Sequence, residues 1–571
     1  MSFKAEENSI NNVLSRNNSY TIPLNQRKYV WTSHEWNELF EDVFLLEESD
    51  GYSHFLGSIV FSDTNEKNRF EVIDGQQRLI TICILLCCIV NYSYKIGETK
   101  VAESISTTFL KGTNDGEEYF KLERKDGPFF LTQIVDKIDS YVPLSEMESE
   151  FSLNFSKADK YNERFLDCYR FFFGKIGQEI QNVSENKRKE LLLSLKNKLV
   201  NCDVIEIKVS TDLDGYKIFE TLNARGIPLE PHELVKNYIY SYMKGKTKQQ
   251  KVINSWNRIT NFLTKDNTEY FTSFLTHYCV HAYGKIKRGA EYKTIRDNTP
   301  KKKVEELLES LVRMAEWYRF FDQPDDYKSV PNYSDDIYSS LQFCKKMNIR
   351  QSRPLMLSLF ELWGDNEKQN KEIEEAFKLL EVFYFLYVSV EKNTTNTIDL
   401  LITGQAKAIH ENKSFSLSSL KTKLLMYLPS DTSILEGDFA RLGFSNKNPK
   451  FKNSANKKLI QYVLHKIEHF YDINNELDVK IQSIEHIMSD SESNDVTSKL
   501  GNLLPMKSRL NSKVGNMPFV EKLKTYRRSN LLSMKKFLDN YGSLTEWNED
   551  SINKRTSHIA HMAVTQIWRV D

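Results

Sequence analysis

The sequence has no excess of either charge. Its 571 residues contain 78 lysines and arginines and 78 aspartates and glutamates, so the formal net charge at pH 7 is zero. A protein that binds nucleic acid over its whole surface carries a net positive charge, and the balance excludes that class. It does not exclude a local basic face.

Cysteine motifs and long hydrophobic segments are also missing. The seven cysteines show no CxxC spacing, and three of them lie in the apolar run ICILLCCIV. No run of about 18 uncharged apolar residues is present, so we expect no transmembrane helix. The first residues, MSFKAEENSI, are too polar for a signal peptide. These absences predict a cytoplasmic protein that does not contact a membrane and whose cysteines are buried, reduced thiols.

Several catalytic and binding motifs are absent. There is no GxxxxGK(S/T) phosphate-binding loop and no GxSxG turn, and HELVK at residue 232 lacks the second histidine of a zinc protease. Two pairs of histidines are spaced like metal ligands on one helix face, His277 with His281 and His465 with His469. No third ligand follows either pair at motif spacing, so buried or surface histidines are favoured.

Strand patterns are concentrated in the first part of the chain. HFLGSIVF (54–61) and RFEVID (69–74) flank a polar loop, as in a hairpin, and CDVIEIKVS (202–210) predicts a third strand. Residues 231–440 have the 3.6-residue periodicity of helices almost throughout. The polar, basic segment 442–458 is interpreted as a boundary or an ordered loop, and another helix follows it.

These patterns predict an α+β protein that is predominantly helical. We expect a small α/β domain over residues 1–240, a helical middle domain over 241–440 and a compact C-terminal domain over 441–571.

The stretch VIDGQQRLITI (72–82) joins the second predicted strand to a helix. Gly75 permits a sharp turn, and a helix that opens at Gln76 presents unpaired N–H groups and a positive dipole end, which favour phosphate. Arg78 adds a cation for a bidentate contact, and Asp74 can bind a metal, a ribose hydroxyl or the helix end itself. The alternative is a capped structural joint without a ligand.

Two further stretches carry polar and basic residues in turns, as the lining of a pocket does. These residues are Gln26 and Arg27 in YTIPLNQRKYVW, and Asn223, Arg225, Gly226 and Lys236 in IFETLNARGIPLEPHELVKNYIY.

Taken in order, IPLNQRKYVW, HFLGSIVF, IDGQQRLITI and FETLNARGIPL…LVKN resemble the domain family of unknown function numbered 262. The resemblance covers about residues 8–240. It implies a ParB/sulfiredoxin-like domain that binds and hydrolyses a nucleoside triphosphate, GTP or ATP. The nucleotide site that it implies is lined by Arg27, Asp74, Gly75, Gln76, Gln77 and Arg78.

Near the C-terminus, a short apolar run ends in an acid–histidine pair, Glu485 and His486. Asn502 follows in GNLLP and Asn511 in RLNSK. This layout is typical of ββα-metal nucleases, also called His-Me finger or HNH nucleases. In these enzymes one strand ends in the histidine, and a second strand and a helix carry the other residues. The alternative is that all four are ordinary surface residues.

The residue types suit phosphodiester hydrolysis. An unperturbed histidine titrates near neutral pH, so His486 can deprotonate the attacking water. The oxygens of Glu485 and Asn511 suit Mg²⁺ or Mn²⁺, which would stabilise the charge on the phosphate. Asn502 would brace the loop that holds His486 through hydrogen bonds.

Residues 499–536 form a local basic stretch, with ten lysines and arginines and one glutamate. In a chain without net charge this imbalance favours a face that binds DNA phosphates, although charge runs also occur on solvated helices. The candidate phosphate contacts in this stretch include Lys507, Lys513 and Lys524.

The segments IEHIM, LGNLLPM, LNSKVGNMPFVEK and INKRTSHIAHMAVTQIW are similar to the domain family of unknown function numbered 1524, an HNH-type nuclease family. The match runs from about residue 450 to 571, and HIMSD stands where the family often has Pro-Gln after the histidine. The resemblance implies the roles given above for His486, Glu485, Asn511 and Asn502. Lys522 and Arg555 are further candidate phosphate contacts.

The two resemblances together are those of GmrSD-type, modification-dependent (type IV) restriction systems. They imply a nucleotide-regulated DNA endonuclease of prokaryotic defence against phages, with a homo-oligomer left open. The alternatives are a ParB-like DNA-binding regulator without nuclease activity and a ribonuclease toxin. No helix-turn-helix signature or zinc-finger spacing is found, so we expect a chemical mark on the DNA, and not a long base sequence, to decide what is cut.

Overall fold

The computed structural model describes residues 3–23, 25–44, 54–64, 66–114, 116–125, 130–154, 160–210, 230–263, 268–472, 483–490 and 494–569. The chain divides into two compact units. The first comprises Met1–Trp256 with Thr299–Leu308, and the second comprises Asn257–Asn298 with Glu309–Asp571. The protein is α+β and predominantly helical, which confirms the predicted class. The boundary predicted at residue 440 lies inside the second unit.

The first unit contains a mixed six-stranded β-sheet and a separate hairpin. Its strands are β1 (Phe3–Ser9), β2 (Ser19–Ile22), β3 (Phe55–Asp63), β4 (Arg69–Asp74), β5 (Lys111–Asn114), β6 (Glu117–Phe120), β7 (Leu122–Arg124) and β8 (Asp203–Val209). The sheet order is β1-β8-β3-β4-β2-β7, and β5 pairs with β6. β3 is antiparallel to β4 and parallel to β8. These three central strands are the three that the sequence patterns predict.

The predicted hairpin and the third predicted strand are therefore confirmed. The strands β1, β2 and β7 are not predicted by the sequence patterns, because none of them has a long, clear alternation of apolar and polar residues. β2 pairs in parallel with both β4 and β7 and thereby extends the sheet beside the turn that follows β4.

Among the described residues, ten α-helices begin in the Met1–Trp256 segment of the first unit. They are α1 (Ile10–Ser15), α2 (Ser33–Phe44), α3 (Gln76–Lys95), α4 (Thr99–Ile105), α5 (Phe130–Lys137), α6 (Leu144–Asn154), α7 (Lys160–Gln181), α8 (Arg188–Val200), α9 (Pro231–Tyr242) and α10 (Lys246–Leu263).

Helix α3 is the core of the first unit. Among the described helices it alone is long and apolar enough to cross a membrane, but it is packed inside the unit. Asn91 donates to the Tyr169 hydroxyl at 2.7 Å, and the Tyr92 hydroxyl donates to the Phe173 carbonyl at 2.9 Å, so α7 covers one side of it. A helix surrounded by protein is apolar on every face, which explains its composition. All seven cysteines are buried and unpaired, as predicted.

The second unit is a helical assembly with one two-stranded ribbon. Its strands are β9 (Ser483–His486) and β10 (Leu503–Met506). The helices are α11 (Thr268–Tyr283), α12 (Glu291–Asn298), α13 (Val304–Tyr318), α14 (Asp335–Met347), α15 (Arg353–Leu362), α16 (Glu367–Tyr384), α17 (Asp399–Asn412), α18 (Leu417–Leu425), α19 (Thr432–Phe439), α20 (Ser454–Tyr471), α21 (Asp495–Ser498), α22 (Ser508–Val514), α23 (Phe519–Tyr526), α24 (Leu532–Tyr541) and α25 (Glu549–Met562).

Aromatic packing joins the C-terminal part of the second unit to the helices that precede residue 440. The Trp568 ring stacks on Phe385 with centroids 4.5 Å apart, and the Tyr462 hydroxyl donates to Glu381 at 2.6 Å. Buried aromatic side chains contribute large apolar areas to a core. Residues from both sides of position 440 thus pack against each other in this unit.

Candidate functional site

Two strands and a helix form a ββα element in the second unit. β9 and β10 are antiparallel, so His486 at the end of β9 lies opposite Leu503 at the start of β10. Asn502 directly precedes β10, and α22 carries Asn511. The structure therefore has the order of strand, strand and helix that the sequence predicts around these residues.

A backbone carbonyl fixes the orientation of the His486 ring. Nε2 of His486 lies 3.0 Å from the carbonyl oxygen of Phe444. Because a carbonyl can only accept a hydrogen bond, Nε2 carries the proton of the neutral ring and Nδ1 keeps the lone pair. The side chain is 7% exposed. Nδ1 is therefore the nitrogen that can take a proton from a water molecule.

The loop before α20 holds this carbonyl in place. The Phe444 N–H donates to the Ser498 carbonyl at 2.9 Å, and Gly443 forms an isolated antiparallel bridge with Lys499. A Cβ atom at Gly443 would lie 2.3 Å from the Ser498 carbonyl oxygen, so only glycine allows this approach of the two backbones. Residues 443–446 of the segment 442–458 are therefore an ordered part of the site, and the end of the segment, from Ser454, belongs to α20.

Asp490 lies close to the same ring. Its Oδ2 is 3.9 Å from His486 Nε2 and accepts a hydrogen bond from the Asn446 N–H at 2.7 Å, while Oδ1 accepts one from Ser445 Oγ at 2.7 Å. The carboxylate would stabilise the charge that His486 gains with a second proton. Asp490 is not among the residues that the sequence predicts, and its spacing of four residues from His486 is the only signal for it.

Asn502 holds the loop that follows His486. Its Oδ1 accepts from the Met488 N–H at 2.7 Å and from Trp547 Nε1 at 3.2 Å. Its Nδ2 donates to the carbonyls of Met488 at 2.9 Å and Thr497 at 2.7 Å. The side chain is fully buried, and these four hydrogen bonds use the whole capacity of its amide.

Glu485 is part of a buried network. Successive side chains of a strand point to opposite faces, so Glu485 points away from the face of His486. Its Oε1 accepts hydrogen bonds from Lys522 Nζ and from the Tyr526 hydroxyl, both at 2.8 Å. Burial raises the pKa of Tyr526, and the charge of Glu485 raises it further, so the phenol stays a donor.

Two of the predicted phosphate contacts are wrong. Lys522 is 1% exposed, and its ammonium also donates to the His486 carbonyl at 2.7 Å. Arg555 donates to the carbonyls of Gly501 at 2.5 Å and Leu503 at 3.1 Å, and burial lowers its pKa to about 10. Both cations therefore support the strands of the ββα element and are not accessible to DNA.

The remaining predicted phosphate contacts are exposed, and none of the exposed basic residues of 499–536 forms an ion pair with another described residue. A surface of this kind suits phosphate binding. The exposed basic residues are Lys507, Arg509, Lys513, Lys524, Arg527, Arg528, Lys535 and Lys536.

The predicted metal ligands offer one unused oxygen each. Asn511 Nδ2 donates to the Ile484 carbonyl at 3.0 Å and to Ser483 Oγ at 3.1 Å, which leaves its Oδ1 without a donor among the described residues. The second carboxylate oxygen of Glu485, Oε2, also has no hydrogen-bond donor among the described residues. Two hard oxygen donors fit Mg²⁺ or Mn²⁺, but Lys522 neutralises much of the negative charge of Glu485. The assignment of Glu485 and Asn511 to a metal stays a prediction.

In the first unit, a left-handed glycine turns the chain from β4 into α3. Gly75 has a φ of +89°, and a Cβ atom there would lie 3.1–3.3 Å from atoms of Ile59. A side chain would be both strained and crowded at this position. β4 ends at Asp74 and α3 begins at Gln76, so the first free N–H groups of a 20-residue helix lie at the turn.

The two glutamines of the turn bind protein backbone. Gln77 donates to the Lys28 carbonyl at 3.2 Å and accepts from the Val30 N–H at 2.8 Å. Gln76 donates to the Arg27 carbonyl at 3.1 Å, and its buried Oε1 has no hydrogen-bond partner in the described part of the chain. Gln77 is therefore a support for the loop of Arg27 and not a direct ligand, which corrects its predicted place in the lining of the nucleotide site.

Charged groups converge beside the turn. Burial raises the pKa of Asp74, and the positive charges of Arg78 and Arg27 offset only part of this rise. Burial lowers the pKa of Arg78, whose guanidinium donates to the Leu56 carbonyl. A Cβ atom at Gly57 would lie 2.5 Å from that guanidinium, so the glycine leaves room for it. Arg78 thus has a structural contact and also lies beside Asp74.

Helix α9 contributes further groups to this region. Asn237 accepts a hydrogen bond from Asn25 Nδ2 at 3.1 Å. Burial raises the pKa of Glu233, and the positive charge of Arg27 offsets part of this rise. The spacing of residues along the sequence gives no signal for these contacts, because more than 200 residues separate the partners. Asn223, Arg225 and Gly226, which the sequence singles out, lie outside the described residues.

Comparison with known families places both sites in matched domains. The model of the GmrSD restriction endonuclease N-terminal domain matches residues 10–240, which include the Gly75 turn. The model of the GmrSD restriction endonuclease C-terminal domain matches residues 439–562, which include the ββα element and the Phe444 loop. The domain content is therefore that of a restriction endonuclease. With both domains in order and more than half of its residues matched, the chain belongs to the GmrSD restriction endonuclease family.

One curated relative is similar to part of the chain. The uncharacterized protein MJ0686 of Methanocaldococcus jannaschii is 24% identical in an alignment of 276 residues that covers 42% of this chain and 42% of the relative. The chain thus spans less than half the length of the curated relative that it matches.

Proposed function

We propose that the protein is a metal-dependent DNA endonuclease of defence against phages, with nucleotide bound by its first unit. The observation that carries the proposal is the His486 ring, whose Nε2 is held by the Phe444 carbonyl and whose Nδ1 is left basic. The two family matches support the class of reaction. Phosphodiester hydrolysis needs a base for the attacking water, and a positioned histidine supplies one near neutral pH.

His486 and the residues around it have distinct roles in the proposed reaction. His486 Nδ1 takes the proton of the attacking water, and Asp490 stabilises the resulting imidazolium. Asn502 holds the backbone after His486 so that the ring keeps its position. A Mg²⁺ or Mn²⁺ ion held by Glu485 and Asn511 would supply the positive charge that stabilises the phosphate in the transition state.

The proposed substrate is DNA that carries a chemical mark. The exposed lysines Lys507, Lys513 and Lys524 lie within the matched C-terminal domain and suit contacts with phosphates of any sequence. Such contacts position a duplex without reading its bases, so selection would fall to another part of the chain. A zero net charge keeps the general affinity for unmarked DNA low.

The proposed nucleotide site is the Gly75 turn, with GTP or ATP as the ligand. The N-terminus of α3 suits a phosphate, and Arg27 and Arg78 lie close enough to Asp74 to influence its pKa. The glutamines Gln76 and Gln77 would act through the loop of Arg27, to which they are hydrogen bonded.

A single set of incubations tests the function. Purified protein is incubated with unmodified plasmid, base-modified phage DNA and RNA, with Mg²⁺ or Mn²⁺ and with GTP or ATP. We expect cleavage of marked DNA only, its loss in EDTA, and its recovery when Mg²⁺ or Mn²⁺ is restored. Cleavage of RNA alone would favour a ribonuclease toxin, and DNA binding without cleavage would favour a regulator. Cutting of unmodified DNA at one fixed sequence would refute recognition of a mark.

The Asp74→Asn variant is expected to bind nucleotide at least tenfold more weakly than the wild type, as is Arg27→Ala. Asn has the size of Asp but lacks the charge that faces Arg27 and Arg78. Titration calorimetry and phosphate release measure affinity and turnover. We prefer Arg27 to Arg78 because Arg78 also holds the Leu56 carbonyl.

The matched control for these variants is Arg69→Ala. Arg69 is exposed at the start of β4 and pairs with Glu66 at 2.8 Å, so its loss should leave nucleotide affinity unchanged. Equal affinity and turnover in Asp74→Asn, Arg27→Ala and the wild type would mean that the turn is a capped structural joint.

A further inference from the structure

Three helices of the second unit bring a carboxylate and two imidazoles together, far along the chain from the ββα element. His281 lies on α11, Glu361 on α15 and His410 on α17. One nitrogen or oxygen atom of each lies within 4.8 Å of the others. His277, which the sequence pairs with His281, instead contacts the Tyr318 hydroxyl at 2.7 Å and takes no part.

The hydrogen bonds of His281 define its protonation. Its Nδ1 lies 2.7 Å from Ser358 Oγ. The single hydroxyl proton of Ser358 has two carbonyl acceptors, those of Pro354 at 3.1 Å and Ala406 at 2.8 Å. Ser358 Oγ is therefore the acceptor for His281, so Nδ1 carries the proton and Nε2 carries the lone pair. This Nε2 atom is completely buried and has no hydrogen-bond partner among the described residues.

The unpartnered nitrogen faces a carboxylate oxygen. His281 Nε2 lies 3.7 Å from Glu361 Oε2, which accepts from His410 Nδ1 at 2.8 Å. Burial raises the pKa of Glu361, but the hydrogen bonds from His410 and Lys413 outweigh it and bring the pKa to about 2. Burial lowers the pKa of His281 to about 3. The lone pair of His281 Nε2 and the Glu361 carboxylate oxygen, two acceptors, thus face each other inside the protein.

We propose that His281, Glu361 and His410 bind a transition-metal ion of the Zn²⁺ class, with water completing its coordination. Two imidazoles and one carboxylate are a donor set that Zn²⁺ prefers. Bonds of about 2.0–2.1 Å to a tetrahedral ion place neighbouring ligand atoms about 3.4 Å apart, close to the 3.7 Å between His281 and Glu361. Binding moves the His410 proton from Nδ1 to Nε2 and clamps α11, α15 and α17 together.

Two cations beside Glu361 would repel a bound metal ion, and this repulsion makes a specific prediction for metal affinity. Lys413 Nζ lies 2.8 Å and Arg313 Nη2 3.7 Å from Glu361 Oε1, the oxygen that does not face His281. Their side chains are more than half exposed, so they can turn into solvent when the ion binds. Removing Lys413 should therefore tighten metal binding, because a positive charge beside the ion is lost.

The probe is Co²⁺, whose visible absorption reports nitrogen ligands and low coordination number. Full-length protein stripped of metal is titrated with Co²⁺ and then with Zn²⁺ as a competitor. We expect one equivalent of Co²⁺ to give visible bands that Zn²⁺ abolishes. The bands should be lost in His410→Gln and in Glu361→Gln, and Lys413→Met should bind at least tenfold more tightly.

Two controls separate this site from other metal binding. His469→Gln removes an exposed histidine, and Asn511→Ala removes a predicted ligand of the ββα element, so both should keep the Co²⁺ spectrum. Circular dichroism checks that each variant is folded. If His410→Gln does not fold, the test rests on Glu361→Gln. Absence of the bands in both the wild type and Lys413→Met, or an unchanged spectrum in folded His410→Gln and Glu361→Gln, would overturn the proposal.

Discussion

The His486→Ala variant is expected to cleave DNA about 10²–10⁴-fold more slowly than the wild type, because a positioned general base contributes a factor of that size. Among the described residues the side chain makes one hydrogen bond, to the Phe444 carbonyl, so its removal should leave the fold and the affinity for DNA nearly unchanged. Single-turnover cleavage and a binding titration on the same DNA measure the two quantities separately.

The control for this variant is His469→Ala, which removes an exposed histidine on α20. We expect it to cleave DNA at the rate of the wild type. A rate for His486→Ala above about a tenth of the wild-type rate would show that the reaction uses another base.

The Lys522→Met variant is expected to lose about 3–5 kcal/mol of stability, the usual effect of removing one partner of a buried ion pair. The change leaves the Glu485 carboxylate buried with only the Tyr526 hydroxyl as donor, and it also removes the hydrogen bond to the His486 carbonyl. Urea unfolding followed by tryptophan fluorescence measures the effect, since Trp547 lies in the same hydrophobic cluster as Tyr526.

Lys524→Met is the matched control on the same helix. Lys524 is exposed, so the free energy of unfolding should change by no more than about 0.5 kcal/mol. A double variant, Glu485→Gln with Lys522→Met, should recover part of the lost stability, because the buried charge is removed with its partner. If Lys522→Met were fully stable and only weakened DNA binding, the original assignment of Lys522 to a phosphate contact would be right.

Local patterns of the sequence predict the elements that carry the sites. The hairpin of β3 and β4, the strand β8 and the turn at Gly75 follow from alternation, turn residues and helix periodicity over short distances. The order of His486, Asn502 and Asn511 around two strands and a helix follows from the motif as well.

Contacts between distant residues are not predictable in this way. The partner of His486 is a backbone carbonyl, which has no residue type of its own, and Gly443 is the only sequence signal near it. Lys522 and Arg555 are basic residues of the kind that binds DNA phosphates, and only tertiary packing shows that both are buried. Likewise, His281, Glu361 and His410 lie on three different helices, so their proximity cannot be read from residue spacing along one helix.

The Phe444 carbonyl has a practical consequence for dividing the chain. A fragment that began at α20 would contain Glu485, His486, Asn502 and Asn511, and would still lack the acceptor that selects the tautomer of His486. Its imidazole could rotate and present either nitrogen to water. The fragment would therefore contain all the motif residues, but its general base would not be held in one orientation. The smallest piece able to cut DNA should therefore start before Gly443, in a loop that contains none of the motif residues.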